Sequence, residues 1–60
     1  MKELILKGIQ VFGSKEKFMN WIDTENKALS GVTPDSLLDT SIGISIVYDL
    51  LLKIEKGVVS

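Results

Sequence analysis

Between Thr40 and Gly57 the chain reads TSIGISIVYDLLLKIEKG, and no other stretch restricts the fold as strongly. Thr40 offers a hydroxyl where a helix needs an N-cap, and Gly57 offers the left-handed residue that ends one. No proline intervenes. At the α-helical period Gly43, Ile46, Val47, Leu50, Leu51 and Ile54 share one face, while Ser45, Asp49, Lys53 and Lys56 share the opposite one. Ile44, Tyr48 and Leu52 add an apolar row on the flank. The apolar arc is therefore roughly 240° wide, broken mainly by Glu55, where a surface helix needs little more than about 100°. A chain of 60 residues holds too few other elements to cover both sides. The helix is expected to pack on its own domain with one face and to offer the Ile44, Tyr48 and Leu52 row for self-association, with a partly covered core edge as the equal alternative for Tyr48.

The preceding residues supply shorter helices. Leu4, Ile5, Gly8, Ile9 and Phe12 share a face of a first helix over residues 2–12, with Gly8 placed for a close helix contact and Gly13 as its stop. Glu3 and Lys7 stand in the favourable i, i+4 order. Ser14 is an N-cap for a helix over Lys15 to Asp23, whose inner face is Phe18, Trp21 and Ile22. Trp21 reads as a core anchor beside Phe18, with a partner hot spot as the alternative. The polar segment Thr24 to Gly31 allows one helical turn around Ala28 and Leu29. Thr33 followed by Pro34 starts a further short helix to about Leu38. No stretch alternates cleanly as a strand does. The fold class expected is all-α: one domain over residues 1–60, a small bundle of about four helices with a long C-terminal helix.

Several function classes lack their residues. There is no cysteine and no histidine, so disulfides, thiolate metal sites and the commonest general base are missing. No catalytic, cofactor-binding or metal site is expected, and the chain is not expected to be an enzyme. Asp35 and Asp39 lie four apart, but acids at helix starts complement the dipole. Net charge is −1 and the seven basic residues, all lysine, are scattered, so the basic stripe of a nucleic-acid binder is absent. A helix-turn-helix forced on residues 14 to 38 would lack a basic recognition helix. Apolar runs of a few residues span no membrane. The start MKELILKGIQVF is interrupted by Lys7 and Gln10 and leads to no small-residue cleavage site, so a cytoplasmic location is expected. A domain this small without disulfide or metal is most readily stabilised by association.

Taken in order, Val11-Phe12-Gly13, Trp21-Ile22, Ala28-Leu29, Gly31, Thr33-Pro34, Leu37-Leu38-Asp39-Thr40, Gly43, Val47, Leu51, Ile54 and Gly57 form a series. With it the chain resembles the toxin-binding domain of Xre/MbcA/ParS-type antitoxins, from about residue 8 to the C-terminus. The resemblance implies the antitoxin of a bacterial type II toxin–antitoxin system. The implied partner is a RES-domain toxin, similar to ADP-ribosyltransferases, that depletes NAD. Such antitoxins neutralise by occupying the toxin's active-site cleft with their C-terminal end, here Lys56, Gly57, Val58, Val59 and Ser60. A short tail held by a rigid helix loses little entropy on insertion. Full-length members usually carry an N-terminal DNA-binding region. This chain starts almost at the toxin-binding domain, so no nucleic-acid partner is expected through this domain alone. Positions 44, 48 and 52 are more apolar than is usual in the family, and Lys56 stands where an aromatic or histidine is frequent. Both departures favour a homodimer. The alternative function is a self-associating helical dimerisation domain without activity of its own.

Overall fold

The structure, a computed structural model, describes residues 1–57. Three α-helices, α1 (Lys2–Phe12), α2 (Lys15–Ile22) and α3 (Ser41–Glu55), enclose the core, and two 3₁₀ turns, Lys27–Leu29 and Pro34–Leu37, join α2 to α3. Among the described residues there is no strand, so the fold is all-α. No helix among them is long and apolar enough to cross a membrane.

Local chemistry sets each boundary. The Ser14 hydroxyl accepts the Lys17 N–H at 3.1 Å, and Thr40 Oγ1 accepts the Gly43 N–H at 3.0 Å. Each such cap contributes about 1 kcal/mol by satisfying an N–H that the helix leaves without a partner. Thr33 Oγ1 does the same for the Ser36 N–H at 3.2 Å, with Pro34 pre-set at the first position. That segment winds as a 3₁₀ turn rather than the short helix expected to Leu38, because four residues cannot build a stable α-helical nucleus. The helix expected to reach Asp23 ends at Ile22, with Asp23 as its cap. Asn26 was not singled out by sequence. Its side chain caps the first 3₁₀ turn through the Ala28 N–H at 2.9 Å, and its backbone closes the loop onto Val32 and Gly31.

Leu4 from α1, Phe18 and Ile22 from α2, and Val47 and Leu51 from α3 form the buried core. Two glycines let the elements meet. A Cβ at Gly8 would collide with the ring of Phe18, and one at Gly43 would land on the Leu37 carbonyl oxygen. Gly8 therefore admits α2 onto α1, and Gly43 seats the start of α3 on the second 3₁₀ turn. Phe12, Phe18 and Trp21 form an aromatic cluster, with Trp21 centred 5.4 Å from Phe12 and 6.3 Å from Phe18. Trp21 is thus a half-buried wall of the core.

One part of the predicted face of α3 is corrected. Gly43, Val47, Leu50 and Leu51 are buried, but Ile46 is 44% exposed. Seating Gly43 against Leu37 turns the helix so that Ile44 and Tyr48, from the flank row, lean on the core in its place. Ile5 of α1 is likewise turned outward, at 37% exposed.

Replacing Gly8 by alanine adds helix propensity of about 1 kcal/mol, but the enclosed Phe18 ring has no room to retreat. Gly8→Ala is expected to lose roughly 2 kcal/mol net and to lower Tm by on the order of 10 °C in a thermal melt. An unchanged or higher Tm would show that the contact between α1 and α2 is loose.

Candidate protein-binding surface

Among the described residues no polar or charged side chain is buried, and no three acidic, histidine or cysteine residues gather as a metal site would need. Asp35 is exposed within the second 3₁₀ turn, and Asp39 is exposed just after it. What distinguishes this molecule is its surface, and three regions of α3 matter.

The first is the C-terminal end. Gly57 takes the left-handed conformation at φ 77°, and its N–H bonds the Ile54 carbonyl at 3.0 Å, which ends the helix as anticipated. Lys56 and Gly57 are exposed there. Val58, Val59 and Ser60, which complete the expected toxin-contacting set, lie outside the described residues. The last turn is held by a link that sequence reading overlooked. Lys7 Nζ meets both Glu55 carboxylate oxygens, at 3.2 and 3.3 Å, across 48 residues. Lys7 thus pairs with Glu55 rather than with Glu3, and the acid that interrupts the apolar arc of α3 is the one that meets α1. Nothing local to Glu55 signals this partner, because the pairing depends on how two helices lie together.

The second region is the flank row. Ile44, Tyr48 and Leu52 are each half-buried, and Ile44 and Tyr48 pack against the core. Between this row and Met1, Glu3 and Leu4 lies an open groove of about 500 Å³. The third is the strip on the other side of the helix, Ile42 and Ile46, which are 75% and 44% exposed. It borders a second groove, of about 450 Å³, whose far wall is Ala28 and Leu29. Asp49 and Lys53 form an exposed i, i+4 pair at 3.2 Å along its edge.

Compared with known proteins, residues 7–57 match the family described as the antitoxin Xre/MbcA/ParS C-terminal toxin-binding domain. The chain belongs to this family. Two curated relatives bear the name Antitoxin Xre. One, from Photorhabdus laumondii subsp. laumondii, is 42% identical over 48 residues, covering 80% of this chain and 32% of that protein. The other, from Yersinia enterocolitica serotype O:8, is 44% identical over 48 residues, with the same coverage. The chain thus spans about a third of the length of the curated relatives it matches. No solved structure matches it significantly. The boundaries of the family match have a physical counterpart in this toxin-binding domain. Residue 7 is the lysine that ties α1 to Glu55, and residue 57 is the glycine that ends α3.

The Lys7–Glu55 pair is partly open to solvent, with side chains 19% and 37% exposed, so its contribution to stability is small. A double-mutant cycle of Lys7→Met and Glu55→Gln, followed by urea unfolding, is expected to give about 0.5 kcal/mol of coupling. In about 1 M salt that coupling should vanish. Coupling that survives high salt would mean the contact is held by packing rather than by charge.

Proposed function

We propose that this domain is the toxin-neutralising part of a bacterial type II antitoxin, that its partner is a RES-domain toxin that depletes NAD, and that it acts in the cytoplasm without enzymatic activity of its own. The single observation that carries the reading is the family membership, which extends from the middle of α1 at residue 7 to Gly57. The mechanism is occlusion. Lys56, Gly57, Val58, Val59 and Ser60 contact the toxin and enter its active-site cleft. The geometry at the end of α3 supports this. A capped helix, with Glu55 of its last turn paired to Lys7, presents an exposed Lys56 and a glycine stop. A segment launched from a fixed point loses less freedom on binding than one launched from a frayed helix.

Self-association is compatible with this reading, and a domain devoted to pairing with itself is the second one. The observation favouring it is the open apolar surface of α3, which its own protomer leaves partly uncovered.

The test is co-expression with a RES-domain toxin encoded in the same genome, scored by growth and cellular NAD, alongside binding by titration calorimetry. The intact chain should restore growth. Deleting Val58 to Ser60 should abolish rescue and weaken binding by about tenfold or more, while helical circular dichroism is unchanged. Full rescue by the truncated chain would rule out the occluding tail. Failure of the intact chain to bind or rescue would rule out the toxin class.

A further inference from the structure

A third groove, of about 520 Å³, lies beside the end of α3. Leu50 and Ile54 line it from α3, with Phe12, Trp21 and Ala28 from the elements around them. Ile54 stands three residues before Gly57, and its carbonyl accepts the Gly57 N–H that ends the helix. The groove and the glycine stop therefore share one turn of chain.

Phe12 and Trp21 give the groove an aromatic wall, with ring centres 5.4 Å apart. Its two charged lining residues, Glu25 and Lys27, carry opposite signs, so the groove favours an uncharged occupant. Trp21 is half-buried, and among the described residues no oxygen accepts its indole N–H. No buried side-chain donor among them is without a partner, so that N–H reaches the surface. A tryptophan with one apolar side packed and one donor free is the side-chain type most often dominant in a protein interface.

We infer that this groove takes up an apolar or aromatic side chain from the rim of the toxin's active-site cleft, with a backbone carbonyl of the rim accepting the Trp21 indole N–H. The inference rests on the toxin-binding reading and adds to it the surface that selects the partner. Reach sets which surface the rim meets. Three residues extend at most about 11 Å, so a cleft that takes up Val58 to Ser60 opens within about 11 Å of Gly57. Its rim then lies against the last turns of α3. Leu51 is buried there, Glu55 is paired with Lys7, and Lys53 is paired with Asp49. The other two grooves run along α3 from Ile42 and from Ile44, whereas this one takes only Leu50 and Ile54 from it. It is thus the concave apolar surface placed at the C-terminal end. An apolar centre of this kind supplies affinity and choice of partner, while the tail blocks the chemistry.

The test is titration calorimetry of the intact chain and its variants with a RES-domain toxin encoded in the same genome. Ala28→Arg fills the groove from an exposed position, so circular dichroism and Tm should stay near those of the parent chain. It should weaken toxin binding by about tenfold or more. Trp21→Phe keeps an aromatic ring but removes the donor, and should weaken binding by about threefold. Ile42→Ser, about 18 Å back along the helix from Ile54, should change nothing. Fluorotryptophan at position 21, the only tryptophan in the chain, should give a fluorine NMR shift when toxin is added and none when the chain alone is concentrated. Full affinity in Ala28→Arg overturns the inference, and leaves the occluding tail standing if deletion of Val58 to Ser60 still weakens binding. Weak binding by Ala28→Arg with full affinity in the truncated chain upholds the groove and removes the tail. A fluorine shift on concentration alone gives the groove to a second copy and overturns the inference. An intact chain that binds no toxin overturns both readings.

Discussion

Phe18 is fully enclosed because α1 carries no side chain at position 8. That absence brings α2 onto α1 closely enough for Leu4, Phe18 and Ile22 to form one platform, on which Val47 and Leu51 of α3 close the core. A glycine inside a helix costs about 1 kcal/mol of propensity, and burying a phenylalanine contributes about 1.5–3 kcal/mol, so the exchange favours the fold. Gly43 repeats the device at the other end, where a backbone carbonyl takes the space a methyl would need. In a chain of 60 residues without disulfides, two such approaches stand in for the bulk that a larger core would supply.

The features legible in the sequence were those decided within a few residues. Ser14, Thr33 and Thr40 cap the elements they were expected to cap, and Gly13 and Gly57 end the helices before them. These positions carry their own hydrogen-bonding partners, so no knowledge of the tertiary fold is needed. The close approach at Gly8 was also legible, because a glycine in the middle of an apolar helix face has few other uses. The inward face of α3 was only partly so. Its apolar arc is too wide for periodicity to say which half meets the core. The contact between Gly43 and Leu37 decides it, and that contact joins separate elements. Ile46 turned outward and Tyr48 leaned inward for this reason, although both lie on the arc.

The family was legible in the sequence, whereas contacts between distant elements were not. Composition pointed away from catalysis and toward protein contacts, and the ordered series of residues pointed to the family that the comparisons show. The Lys7–Glu55 pair escaped notice because charges 48 residues apart have no shared pattern. Glu55 had seemed a flaw in an apolar arc. In the fold it is the point where the last turn of α3 meets α1.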